Sequence, residues 1–260
     1  FSVSSAGDFN GDGFDDVVVG AYAANNAIGG SVGETYVVFG KASGFPSEIH
    51  LLSLNGTDGF RINGIDPYDN SGYSVSTAGD LNCDGYDDLI IGARHADPNE
   101  STNAGESYVV YGQAGTFSPE FNLSTLDGSN GFRLDGIDAF DISGSSVSLA
   151  GDVNGDGFSD IIIGAIDADP ADVFAAGETY IIFGDDFTSD AETQVGGIDA
   201  DVITANQGSV ETDILIGAQG DDVLVGDGGP DILQGGEGDD TLAIPATDFQ
   251  RLLGGNGIAT

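Results

Sequence analysis

Short apolar runs, set off by glycine, asparagine and aspartate, recur along the chain. In its middle part they are Tyr73 to Ala78, Asp88 to Ala93, Glu106 to Tyr111 and Gly131 to Leu134. Runs of this length, rich in valine, isoleucine and tyrosine and bounded by turn residues, predict buried β-strands. The third run matches Thr35 to Gly40 and Thr179 to Gly184, and the fourth, Gly-Phe-Arg-Leu, matches Gly59-Phe-Arg-Ile62. Four strands in a unit that repeats at a fixed interval is the pattern of propeller blades. The third unit runs through Gly184 and then gives way to a polar stretch, Asp185 to Gln194, with no match to a fourth strand. The expected fold is all-β: a partial β-propeller of three blades built as four-stranded antiparallel sheets, then a short parallel β-roll. Residues 1–184 hold the blades (units 1–72, 73–144 and 145–184), 185–195 a linker, 196–243 the roll and 244–260 a C-terminal extension.

Between the first and second runs of each unit lies a polar turn. The middle one, Asp80-Leu-Asn-Cys-Asp-Gly-Tyr-Asp-Asp88, places side-chain oxygens at positions one, three, five and nine (Asp80, Asn82, Asp84, Asp88), with Gly85 sixth. Asp8, Asn10, Asp12 and Asp16 repeat it upstream, and Asp152, Asn154, Asp156 and Asp160 downstream; both offsets are 72, from 80 − 8 and 152 − 80. Calcium is a hard cation that takes six or more oxygens at about 2.3–2.6 Å. The carbonyls of Phe14, Tyr86 and Phe158, at position seven, would each supply a further one. An EF-hand is excluded because its loop closes on a glutamate at position twelve between amphipathic helices. These turns close on aspartate at nine and exit into Val-Val-Val, Leu-Ile-Ile and Ile-Ile-Ile. Magnesium, which holds its water shell, fits less well.

After Gly196 the period becomes nine. Gly217 to Val225, Gly226 to Gln234 and Gly235 to Ala243 follow one another, preceded by the looser copies Gly196 to Thr204 and Gly208 to Ile216. Aspartate is sixth in each (Asp201, Asp213, Asp222, Asp231, Asp240), and isoleucine or leucine eighth. This is the nonapeptide pattern of a calcium-binding parallel β-roll. Its turns alternate sides, which pairs Asp222 with Asp240 and Asp213 with Asp231 around cations.

Charge narrows the choice of partners. Five Lys and Arg stand against 44 Asp and Glu, for a net charge of −39. Such a surface repels nucleic acid and anionic lipid, and divalent cations are its natural compensators. A merely solvated acidic surface is the plainer alternative, against which stands the periodic placement of the carboxylates. No apolar run approaches the ~18 residues that span a bilayer, and no secretory signal is visible; Phe1 aligns with Tyr73 in mid-motif, so the parent polypeptide is expected to extend further. One cysteine, Cys83, excludes an internal disulfide framework. It stands where Gly11 and Gly155 stand in the other loops and reads as a tolerated small residue. His50 and His95 are the only histidines. No Ser-His-Asp set or zinc site assembles from them, so no catalysis is expected within these residues. Arg61 and Arg133, 72 apart, are expected to pair with an aspartate of a neighbouring blade. Tyr68 and Phe140, also 72 apart, read as surface aromatics that pack, with a platform for a sugar as the alternative.

The run Gly-Tyr-Ser-Val-Ser-Thr-Ala-Gly-Asp80, its loop, Ile-Ile-Gly-Ala93 and Tyr-Val-Val-Tyr-Gly112 resemble FG-GAP repeats, the blade units of the integrin α-chain β-propeller and of many bacterial secreted proteins. The likeness covers roughly residues 1–184, three times over. It implies calcium at the Asp and Asn positions named above and adhesion to a protein or glycan ligand on a cell or other surface. Two departures stand out: the proline after Gly-Ala is replaced by Tyr22, Arg94 and Ile166, and integrins have about seven blades. The nine-residue tail is similar to RTX, or hemolysin-type, repeats, implying export by a type I route and folding triggered by extracellular calcium. FG-GAP blades also accompany hydrolases such as the glycosylphosphatidylinositol-specific phospholipase D. The alternatives to adhesion are therefore an accessory segment of a secreted hydrolase and a structural spacer in a giant repeat protein.

Overall fold

The computed structural model describes residues 1–25, 29–155, 157–170, 174–184, 193–195, 202–204, 214–225, 232–239, 241–243 and 251–253. The chain divides into two compact units, Phe1–Asp185 and Asp186–Thr260. In the first, β1 (Ser2–Gly7), β2 (Asp16–Ala21), β3 (Glu34–Val38) and β4 (Gly59–Asn63) form an antiparallel sheet in chain order. The second sheet repeats it with β5 (Ser74–Gly79), β6 (Asp88–Ala93), β7 (Glu106–Val110) and β9 (Gly131–Asp135). The third has β10 (Ser143–Gly151), β11 (Asp160–Ala165) and β12 (Glu178–Ile182) among the described residues. The strands lie where the apolar runs place them because each run has enough β-branched and aromatic side chains to fill both faces of a sheet buried between neighbours.

One strand was not legible as such. β8 (Glu120–Asn122), from the second repeat, pairs in parallel with β4 and makes the first sheet five-stranded. The residues before it bring Phe117 onto Phe60, with ring centroids 4.9 Å apart and planes 8° apart, and against Phe9 and Phe39 at 5.5 and 5.2 Å. The second repeat thus reaches back and covers the end of the first blade's core.

The cores lie between sheets. Ala6, Phe9, Val18, Val37 and Phe60 of the first blade pack against Val75, Leu89, Ile91 and Tyr108 of the second. Ala78, Leu81, Ile90 and Val109 then repeat the pattern against Val147, Ile161 and Ile163 of the third. At the two outer faces the same repeat positions are uncovered. Val75 and Val147 are 5% and 8% exposed, whereas Val3 is 70%. Val37 and Val109 are fully buried, whereas Ile181 is 47% exposed.

In the second unit two parallel sheets alternate along the chain. One orders β13 (Thr193–Val195), β15 (Ile214–Gln219), β17 (Ile232–Glu237) and β19 (Arg251–Leu253); the other orders β14 (Val202–Thr204), β16 (Val223–Val225) and β18 (Thr241–Ala243). Ile214 pairs with Ile232 and Val223 with Thr241, both 18 residues on, so one full turn uses two nonapeptides. The β13–β15 step is 21, from Thr193 to Ile214, as the three extra residues Ala205-Asn-Gln207 require. Leu215, Leu224 and Leu233, eighth in their repeats, are fully buried and Leu242 packs on them, a core one side chain thick.

Candidate metal centres

Each nine-residue loop joins the first strand of a blade to the second. A register shift just before it, between Ser5 and Gly7, Thr77 and Gly79, and Leu149 and Gly151, inserts one residue and turns the chain out of the sheet. The sixth residue, Gly13, Gly85 or Gly157, sits at φ 87°, 91° or 100°, a region that favours glycine.

Within the first loop the Asp8 carboxylate accepts from the amides of Asp12 (3.0 Å) and Gly13 (2.9 Å), Asn10 Oδ1 from Asp12 (2.9 Å), and Asp12 Oδ1 from Phe14 (3.0 Å). The second loop repeats these bonds with Asp80, Asn82 and Asp84, onto the amides of Asp84, Gly85 and Tyr86. In the third, Asp152 accepts from Gly155 and Gly157. Three acceptor side chains are thereby gathered around one turn of backbone. Among the described residues, no three His, Cys, Asp or Glu side chains converge as ligands of one metal.

The ninth residue ties each loop to its own sheet. Asp16, Asp88 and Asp160 are almost fully buried. Each Oδ1 accepts from a glycine amide 24 residues on, Gly40 (2.7 Å), Gly112 (2.9 Å) or Gly184 (2.9 Å), which ties the loop to the end of the third strand. In the second and third loops Oδ2 accepts from Leu81 or Val153. In the first, the Phe9 N–H takes the equivalent place beside Asp16 but falls outside normal hydrogen-bond geometry. Burial pushes the Asp16 carboxyl up to about 6, with Asp12 and Asp8 adding repulsion and the Gly40 N–H opposing. Burial pushes Asp88 to about 8 against the Gly112 and Leu81 N–H groups, with Asp84 and Asp80 adding to the rise. Burial likewise raises Asp80, helped by Asp84 and Asp87. A calcium ion fits such loops: the side chains gathered there offer only hard oxygens as ligands, and a divalent charge would reverse the repulsion among the carboxylates.

Asp156, Asp213, Asp231 and Asp240 lie outside the described residues. Asp222 is described and buried, and its carbonyl accepts the Thr241 amide at 2.7 Å, one full turn of the roll further on.

Two expectations are corrected. Arg61 and Arg133 do not turn to a neighbouring blade's aspartate. Arg61 meets Glu34 of its own sheet (3.5 Å) and Glu120 of β8 (2.6 Å), while Arg133 meets Glu106 (3.4 Å) and Asp135 (2.6 Å). The glutamates are close because the arginine strand pairs with theirs, Tyr36 facing Arg61 and Tyr108 facing Arg133. Tyr36 and Tyr108 donate their hydroxyls to the same Glu34 and Glu106. Tyr68 and Phe140 are not core packing residues, although the Tyr68 ring lies over Gly30. They are 71% and 60% exposed and lie at φ 77° and 73°, a strained conformation for an aromatic residue.

Acidic nine-residue loops between the first two strands of successive blades, followed by a parallel roll of 18 residues per turn, are the features of calcium-binding all-β repeat proteins. Within that class, residues 1–38, 71–110 and 143–182 are FG-GAP repeats, and residues 207–242 match the RTX calcium-binding nonapeptide repeat (4 copies). The first three segments are similar to integrin α-chains. Identity to integrin alpha-PS5 of Drosophila melanogaster is 34% over 173 residues, 66% of this chain and 15% of the integrin. Identity to integrin alpha-4 of Xenopus laevis is 29% over 167 residues, 64% of this chain and 14% of the integrin. The phosphatidylinositol-glycan-specific phospholipase D of Bos taurus is 30% identical over 161 residues, 62% of this chain and 18% of the enzyme. The chain therefore spans less than a fifth of each of these relatives.

Proposed function

We propose that the chain is a calcium-stabilised binding module of a larger extracellular protein, used for adhesion to a protein or glycan surface. Calcium is bound at the three loops through Asp8, Asn10, Asp12, Phe14 and Asp16, Asp80, Asn82, Asp84, Tyr86 and Asp88, and Asp152, Asn154, Asp156, Phe158 and Asp160, the aromatic residues contributing carbonyls. In the roll it is bound through Asp213, Asp222, Asp231 and Asp240. Without calcium the carboxylates repel; with it each loop is cross-braced and binding energy becomes folding energy. The blades occupy 1–184, the roll 196–243, and further blades cover the apolar outer faces around Val3 and Ile181. Export by a type I route agrees with the RTX section. Among the described residues no helix is long and apolar enough to cross a membrane.

The observation that carries the adhesive role is the pair Tyr68 and Phe140, large aromatics held in solvent by strained backbone at the same place in successive repeats. Strain of this kind persists where surrounding structure enforces it and concentrates at ligand sites. Immobilised chain in calcium should retain cells or matrix glycoproteins, and Tyr68→Ser with Phe140→Ser should abolish retention while leaving calcium titration unchanged. Retention unaffected by the double substitution would reject the aromatic pair as the contact.

The phospholipase D relatives favour one second reading, a non-catalytic accessory to a hydrolase domain of the parent chain. Repeats of both kinds are typically non-catalytic. Phospholipase activity of the parent protein, lowered when residues 1–184 are removed, would favour that reading over adhesion.

A further inference from the structure

The eighth loop residue is not part of the acidic pattern that marks the ligands: it is Asp15, Asp87 and Ser159 in turn. In the second loop it crosses the blade boundary. The Asp87 carboxylate accepts the backbone amide of Asp8 at 2.8 Å, and the Asp87 amide donates to the Asp8 carbonyl at 3.4 Å. Asp8 is the first ligand of the neighbouring loop, so its peptide is gripped at both ends of one residue. The grip needs a glycine beside it, since a Cβ on Gly7 would lie 2.1 Å from Asp87 Oδ2. The ring of Tyr86 lies against Gly11 of the same first loop, where a Cβ would come within 2.3 Å. At the next boundary only the backbone half recurs, Ser159 N to Asp80 O at 3.3 Å, with a hydroxyl in place of the carboxylate.

We propose that Asp87 is a positioning residue for the calcium site of the first blade: it fixes the peptide of Asp8 from the second blade's loop. The first site therefore depends on its neighbour, and the two sites bind as a coupled pair. This rests on the reading of the nine-residue loops as calcium sites. The coupling runs through a charge-assisted hydrogen bond, which loses most of its strength if the acceptor is shortened to a hydroxyl that does not reach. Asp15, eighth in the first loop, is exposed on the outer side and supplies a matched control of equal charge.

The test is calorimetric titration of calcium into the full chelated chain, with circular dichroism to confirm folding. Asp87→Ser should weaken one site about tenfold, the worth of roughly one such hydrogen bond. Asp87→Asn, which keeps an accepting oxygen without the charge, should recover about half of the loss, and Asp15→Ser should titrate as the parent. In an Asp12→Ala background, which removes the first site, Asp87→Ser should have no further effect. Asp87→Ser indistinguishable from Asp15→Ser, or still weakening a site in the Asp12→Ala background, overturns the proposal. Should Asp87→Ser not fold, exchange of the Asp8 amide in the parent chain decides: protection that survives Asp12→Ala supports the grip, and exchange at the free rate overturns it. If Asp12→Ala and Asp84→Ala both leave calcium stoichiometry unchanged, the reading of the loops as sites has failed, not the grip.

Discussion

Asp69 is a carboxylate with poor surroundings for a negative charge. It is 8% exposed, and burial first, then Glu106, Asp66 and Asp97, raise its pKa to about 7. The folded chain therefore holds this proton more tightly than the unfolded chain, whose aspartates titrate near 3.9. The stability it contributes is fully present below that ordinary value and is lost as pH rises through about 7. In chelator, the thermal midpoint should fall between pH 5 and pH 8, and Asp69→Asn should flatten that fall; a profile identical to the parent's would contradict the assignment. Asp88 supports a different prediction. Its two oxygens take the amides of Leu81 and Gly112, and asparagine would turn an N–H₂ toward one of them. Asp88→Asn should cost about 1–3 kcal/mol in urea unfolding, the usual penalty for a buried donor left unmet. The acidic loop pattern around these residues was legible because it is local, nine residues long and three times repeated. Asp87 was not, because the amide it grips is 79 residues away and the position, aspartate twice and then serine, does not keep its residue type. Tyr68 and Phe140 were legible as surface aromatics, but their left-handed backbone was not, because a positive φ at an aromatic residue leaves no mark in the residue pattern.

At the level of strands and loops, the interfaces between blades hold the first unit together. Leu81 is fully buried between the second and third sheets, so Leu81→Ala should destabilise by about 2–5 kcal/mol, read from the denaturant midpoint. Its counterpart Val153 is 51% exposed on the outer face, and Val153→Ala should be nearly silent. Equal costs at the two positions would mean that the outer face is covered. The loops and the roll are separate binders: Asp84→Ala should remove one propeller-type site and leave the calcium response of residues 186–260 intact. Calorimetry on the variant checks this, and a roll that lost its response would join the units into one. Strand positions could be read directly from sequence because period and apolar pattern agree. β8 could not, being three residues long, Glu-Phe-Asn, with a partner strand 59 residues away and no apolar alternation of its own. The partners of Arg61 were missed with it, since Glu120 belongs to that strand.

For the molecule as a whole, a net charge of −39 opposes compaction, and two remedies differ in kind. At 1 M, sodium chloride shortens the screening length to about 3 Å and relieves the general repulsion. It does not replace a divalent ion at a ring of oxygens. Calcium at concentrations too low to screen should therefore raise the thermal midpoint more than molar salt does, as scanning calorimetry in each condition would show. Because β8 leaves the second repeat to line the rim of the first, those two blades are laced like a buckled strap. Tension drawn through residue 184 should peel the third blade alone and then rupture the other two in a single event, visible as two unequal steps in an optical trap. Cutting the lace, with proline at Phe121, should split the larger step. A module hauled from that end would fail in stages and keep two of its three loops until the last.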